Sequence, residues 1–156
     1  MASHWQTPSI TKLLIRDATD AIDLDGDTLK IGLSTAVHVS NKDEAYLSEG
    51  GSDDFSDGEL SGVGYVGGFA GAGRKTLAGV TCATDAAADR TKFTATNPSA
   101  WLTVYPVTIA QATILKERTS DVDSPTLINL DFPDVDPNGN DFAISFHTDG
   151  IGYIQT

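Results

Sequence analysis

A chain of 156 residues suits one domain with a single core, and 40% hydrophobic residues can fill that core without a metal or disulfides. Twenty-two acidic residues against 10 basic ones leave a net charge of -12, which argues against nucleic acid as a direct partner, because phosphates call for a lysine and arginine footprint. With one cysteine, Cys82, neither an intramolecular disulfide nor a cysteine-built zinc site can form.

No apolar run approaches about 18 residues, so neither a signal peptide nor a membrane span is expected. The basic residues stand in small groups, Arg74-Lys75, Arg90 with Lys92, and Lys116 with Arg118, too thin to line a groove for phosphates. A surface this acidic suits solubility, or docking onto a basic protein partner.

The chain opens on an arm, residues 1–8, ahead of one β-rich domain over 9–156. Trp5 lies on that arm, where a large aromatic is either a staple onto the domain or an anchor for a partner. The arm residues His4, Trp5 and Gln6 are the candidate partner contacts. Thr7 as N-cap with Pro8 in the first turn starts a short helix, along which Ile10, Leu13, Leu14, Ala18, Ala21 and Ile22 recur at near-helical spacing. The helix is expected to stop before the acidic turn Asp23-Leu24-Asp25-Gly26-Asp27.

The period then changes to two. Leu29, Ile31 and Leu33 alternate with Lys30, Gly32 and Ser34, as in a half-buried strand. Residues 48–59 are acidic and glycine-rich and read as an exposed loop. Further strands are expected over 63–69, 76–82, 91–95, 102–107, 111–117, 126–132, 142–147 and 150–154. Ile128, Leu130 and Phe132 would line one face, with Phe142, Ile144 and Phe146 on their partner strand and Asn138-Gly139 as the turn dipeptide between them. About nine short strands punctuated by turns predict an all-β fold, a single-domain antiparallel β-sandwich or jelly-roll-like barrel with a short N-terminal helix. Trp101 and Tyr105 read as sandwich packing, and Cys82 as a buried core thiol.

Several motifs carry possible chemistry. Gly62, Gly64 and Gly67 satisfy G-x-G-x-x-G, and Gly68 and Gly73 before Arg74-Lys75-Thr76 come one residue short of a P-loop. Either signature needs a helix leaving the loop to hold phosphate on its N-terminus, and the run Thr76 to Cys82 has no helical stripe. Asp134, Asp136, Asn138 and Gly139 match the first half of a calcium loop, but Ser145 stands where the bidentate glutamate belongs. Asp23, Asp25 and Asp27 are similar, with Thr28 where glycine is needed. A polar hairpin loop is the plainer account of the first, and a weak surface calcium site is the alternative at either. For nucleophilic catalysis the histidines are His4, His38 and His147. Ser145, His147 and Asp149 lie close in sequence, which is no evidence for a triad. No cofactor and no small-molecule substrate are implied.

Read end to end, the order of landmarks resembles a family of small virion proteins of tailed bacteriophages. Ile10-Thr11-Lys12-Leu13-Leu14 leads to Ile22-Asp23-Leu24-Asp25-Gly26-Asp27-Thr28-Leu29-Lys30-Ile31, then Ala45-Tyr46-Leu47-Ser48 and Leu60-Ser61-Gly62-Val63-Gly64-Tyr65. Ala88-Asp89-Arg90-Thr91-Lys92-Phe93, Trp101, Leu127-Ile128-Asn129-Leu130-Asp131-Phe132, the run from Asn138 to Phe146 and Asp149-Gly150-Ile151 follow in turn. The segment from Leu102 to Glu117 departs most from that pattern. The resemblance implies a capsid decoration, or cement, protein. Such a protein is a non-enzymatic β-rich subunit on the outer surface of the expanded head. It binds the major capsid protein and is favoured as a homotrimer. A tail-associated or receptor-binding virion module is the alternative. The family brings no catalytic residues to carry over.

Overall fold

The computed structural model describes residues 4–5, 22–24 and 26–155. They form an all-β fold of two antiparallel sheets. The first has the order β1-β7-β6-β2-β3, from His4–Trp5 (β1), Leu29–Ser34 (β2), Lys75–Thr76 (β3), Ile109–Lys116 (β6) and Thr126–Val135 (β7). The second, β4-β5-β8, comprises Thr81–Asp85 (β4), Arg90–Thr94 (β5) and Gly152–Gln155 (β8). The helix expected from Pro8 to Ile22 lies outside the described residues over 8–21, and Ile22, which is described, is not helical.

Alternation in β2 puts Leu29, Ile31 and Leu33 on the core face as the sequence predicts, but the strand is not half-buried, since Gly32 and Ser34 are buried too. Ile31 stands opposite Ile114, Leu33 opposite Ala112, and Ile114 in turn opposite Ile128. These side chains share one face and form the main core with Trp101, Val104, Leu60 and Phe93, so both sheets contribute to one apolar interior. Burial of each of the larger aliphatic and phenyl side chains among these is worth about 1.5–3 kcal/mol.

The opposite face of the first sheet is also buried, although it is polar. Ser34, Gln111, Thr113 and Asn129 are all sealed from solvent there, and β6 is buried continuously from Ile109 to Leu115. The cover is the chain from Thr35 to Leu60. It carries a single helical turn, Phe55–Gly58, whose Phe55 ring lies so close over Gly32 that a Cβ there would collide with it. Leu47, Phe55 and Leu115 make a small second core in this layer. The acidic loop expected over 48–59 is therefore exposed at residues 49–53 but anchored by a fully buried Phe55.

Several expectations need correction. Residues 102–107 form no strand and carry only the Val63–Tyr105 bridge, and the strand expected over 76–82 is interrupted over 77–80. Residues 63–69 form no strand but a tight turn, in which Gly62 and Tyr65 exchange backbone hydrogen bonds. Residues 142–147 are no partner for β7. Phe142 instead bridges Trp101, because β7 already has β6 on one side and β1 on part of the other. Cys82 is exposed, since β4 is an outer strand of the small sheet and four of its five residues face solvent. Tyr105 is 48% exposed, whereas Trp101 is fully buried as expected.

Truncation at the centre of this core tests the layer assignment. Ile114→Ala is expected to cost about 2–5 kcal/mol in urea unfolding, whereas Val122→Ala, at a position 65% exposed, should stay within about 0.5 kcal/mol.

Candidate interaction surface

The glycine-rich segment that mimics a nucleotide loop is built around a buried cation. The Arg74 side chain is 0% exposed and that of Glu59 3%. Arg74 donates from Nε to Glu59 Oε1 at 2.8 Å and from Nη2 to Oε2 at 2.7 Å. It also donates from Nη1 and Nη2 to the two oxygens of Asp121, at 2.6 and 3.1 Å. The Glu59 carboxylate accepts two more bonds, from the Tyr65 hydroxyl at 2.9 Å and the Gly68 N–H at 2.8 Å. Four donors fill its lone pairs, the condition under which a buried charge is tolerated. Burial alone would lower the Arg74 value, but the hydrogen bonds it donates to Glu59 and Asp121 outweigh that and hold the guanidinium above its ordinary range. The Tyr65 hydroxyl accepts the Leu33 N–H at 3.0 Å, so the same cluster caps the edge of β2. Burial, reinforced by the Glu59 carboxylate, pushes the Tyr65 phenol well above the usual tyrosine range.

Asp121 is delivered by a short 3-10 turn, Asp121–Asp123, fixed by a reciprocal capping box between Ser120 and Asp123. The Thr119 hydroxyl, followed by the Ser120 hydroxyl and N–H, holds the Asp123 carboxyl down to about 2. A value lowered on folding means this brace is complete above about pH 4 and is lost as pH falls through about 2.

A loop and a neighbouring segment share this frame. Val63 and Tyr105 exchange both backbone hydrogen bonds, at 3.0 and 3.1 Å. Gly64 sits at φ +81°, and a Cβ on it would collide with the Leu102 carbonyl oxygen. Beneath them, Trp101 donates from Nε1 to the Gly73 carbonyl at 2.5 Å and stacks near Tyr65, with Phe142 and Phe132 continuing the row. Five large apolar side chains are exposed on these two segments: Val63, Val66, Phe69, Leu102 and Tyr105. These exposed apolar side chains are carried on an ion-paired base, whereas exposed apolar residues are more often scattered singly.

The nucleotide motifs have no role here. Arg74 is consumed by Glu59 and Asp121, Lys75 lies 6.0 Å over the Trp101 ring, and the segment leads into the two-residue strand β3, not a helix. The calcium candidates are not brought together. Asp136 accepts the Asn138 N–H of its own turn at 3.1 Å, and Asp134 lines a separate groove on the surface. Asn138 and Gly139 do form the expected turn, both at positive φ. At the other acidic turn, Asp23 accepts the Gly26 N–H and Asp27 pairs with Lys116 at 2.8 Å; Asp25 lies outside the described residues. Among the described residues no three His, Cys, Asp or Glu side chains converge on a metal position. Ser145 and His147 are both exposed; His147 Nδ1 accepts the Asp149 N–H at 3.1 Å and lies 3.4 Å from the Asp149 carboxylate, with no hydrogen bond to Ser145 among the described residues.

Another trio does meet. Ser34 Oγ lies 3.2 Å from His38 Nδ1, and His38 Nε2 lies 3.1 Å from Glu44 Oε2. The residue types are those of a hydrolytic triad, yet all three are sealed from solvent. The trio pins the covering layer to β2, with Glu44 Oε1 accepting the Phe55 N–H. The periodicity of β2 places Ser34 on the face opposite Leu33, but nothing local in sequence links it to Glu44. Of the candidate partner contacts, His4 and Trp5 form β1, pairing antiparallel with Asn129 and Ile128 of β7, and Gln6 lies outside the described residues.

Breaking the cluster should be costly. Arg74→Met leaves two carboxylates without their cation and is expected to lose about 3–5 kcal/mol in denaturant unfolding; Arg74→Lys should rescue little, because an ammonium cannot serve two carboxylates bidentately. Since folding raises the Tyr65 value, its contribution is full below about pH 10 and is lost as pH rises further. Ultraviolet titration of the wild type against Tyr65→Phe should therefore show no phenolate difference until the fold itself opens.

Comparison of the chain with family models, with curated proteins and with solved structures returns no match.

Proposed function

We propose that this chain is a structural virion protein of the capsid decoration type, binding the outer surface of an expanded phage head and stabilising the shell. The observation that carries the reading is the pairing of an acidic coat with an apolar surface. That surface is Val63, Val66, Phe69, Leu102 and Tyr105, held on two hydrogen-bonded segments. The order of sequence landmarks supports the same reading. A subunit that binds only the assembled shell stabilises it by mass action, and repetition over a lattice adds avidity to individually weak contacts. The N-terminal arm, with His4, Trp5 and Gln6, is the second contact in this reading, and a homotrimer is the favoured assembly.

Co-sedimentation of the purified chain with undecorated expanded heads tests it, with tail preparations as the control. Saturable binding to heads is expected. Leu102→Asp, at a position 62% exposed, should abolish that binding while shifting stability by no more than about 0.5 kcal/mol. Removing residues 2–6 should lower head occupancy. Binding to tails alone would replace this reading with a receptor-binding one.

A further inference from the structure

We propose that a groove beside the apolar surface receives an extended peptide segment of a partner protein, one that places an aliphatic side chain next to a lysine or arginine. The groove opens where β2 has ended at Ser34 and β6 has not yet begun at Ile109, so the two chains part and leave a concavity of about 620 Å³. Its apolar walls are Ala36 and Val37 on one side and Pro106 and Val107 on the other. Val37 is 57% exposed. Thr35, Thr108 and Asp134 of β7 complete the lining.

The groove is shallow and open to solvent, so it does not enclose a small molecule as ligand pockets do. It offers instead a strip along which an extended chain can lay one side chain against Val37 and Val107. The charge of the occupant follows from Asp134. No lysine or arginine lines the groove, and among the described residues Asp134 has no ion-pair partner. Asp136 follows two residues on, and the chain as a whole carries -12. The local field therefore favours a cation and rejects an acidic segment. The groove is also continuous with the apolar surface. Pro106 follows Tyr105 directly, and the Val107 Cγ1 lies 3.8 Å from where a Cβ on Gly62 would sit. A segment leaving the groove would run onto Val63 and Tyr105. Only the identification of the partner as the capsid rests on the decoration reading; the chemistry of the segment does not.

Two synthetic peptides of equal length, acetyl-Ser-Val-Lys-Val-Ser-amide and its glutamate-for-lysine counterpart, are titrated into the full chain at low salt and followed by methyl and amide NMR. The lysine peptide is expected to shift Val37, Val107 and Thr108 and to bind at least about tenfold more tightly than the glutamate peptide. That preference should collapse in Asp134→Asn and weaken with added salt. Equal binding of the two peptides, shifts confined to other surfaces, or no binding would overturn the proposal. In parallel, Asp134→Lys, checked for an unchanged circular dichroism spectrum, is tested on undecorated heads. A loss of head binding supports the groove as the capsid contact. Full head binding by Asp134→Lys overturns the groove as the capsid contact and leaves the decoration reading standing. If the wild type fails to bind heads while still selecting the lysine peptide, the decoration reading falls and the groove stands.

Discussion

The buried guanidinium of Arg74 is the constraint from which most of the molecule follows. A charge sealed from water is tolerated only when opposite charge and hydrogen bonds surround it, and breaking such a pair typically costs several kcal/mol. Its partners come from three stretches of chain: Glu59 at the edge of β2, Asp121 from the 3-10 turn, and, through Glu59, Tyr65 and Gly68 from the glycine-rich loop. None of these can shift without stranding a charge. The loop gains rigidity that its glycines alone would not give it, and the apolar surface it carries is held in place before any partner arrives. Pre-ordering of this kind lowers the entropy lost on binding.

The second constraint is the two-sided burial of the central sheet. One face is apolar and packs into the shared core, while the other presents Ser34, Gln111, Thr113 and Asn129 to the layer formed by residues 35–60. Some of these groups are well matched, as where Thr113 donates to Asn129 Oδ1 at 3.2 Å. Gln111 Oε1 and Asn129 Nδ2 are buried without a hydrogen-bond partner among the described residues. An unmet buried group costs about 1–3 kcal/mol, so this face holds less stability than its burial suggests. The Ser34–His38–Glu44 chain compensates by tying the covering layer down at its centre. Hydrogen-bonded serine, histidine and carboxylate groups are well suited to joining segments in this way, and all three here are sealed from solvent.

The sequence made the fold class legible through period-two alternation, which located β2, β5, β6, β7 and β8 to within a few residues. It misplaced a strand at the glycine-rich run 63–69, where the turn at Gly62–Tyr65 bends the apolar residues onto a surface. It did so again at 102–107 and 142–147, where apolar runs make only isolated bridges. The pairing of Trp101 with Phe142 was invisible for a different reason. It depends on β7 being occupied by β6 and β1, which is a property of the whole topology. The patch itself was half legible. Glycine spacing drew attention to the right segment, but the chemistry suggested by Arg74 and Lys75 was the wrong one. No local pattern tells a phosphate-binding arginine from one that will be buried against Glu59, fifteen residues away, and Asp121, forty-seven away.

The acidic coat and the apolar surface place opposite demands on the same molecule, and together they narrow what can bind. Five exposed apolar side chains invite association, including association between copies of the chain. A net charge of -12 opposes it, because every like-charged encounter costs energy that a few hundred Å² of apolar contact must first recover. In the proposed reading a basic partner would reverse the sign of that term, so that attraction steers the encounter and burial of Val63, Leu102 and Tyr105 retains it. On that reading charge selects which surfaces come close, and the braced apolar surface decides which of them stay. An acidic groove wall at Asp134, beside apolar walls at Val37 and Val107, repeats the same logic on the scale of a single side chain.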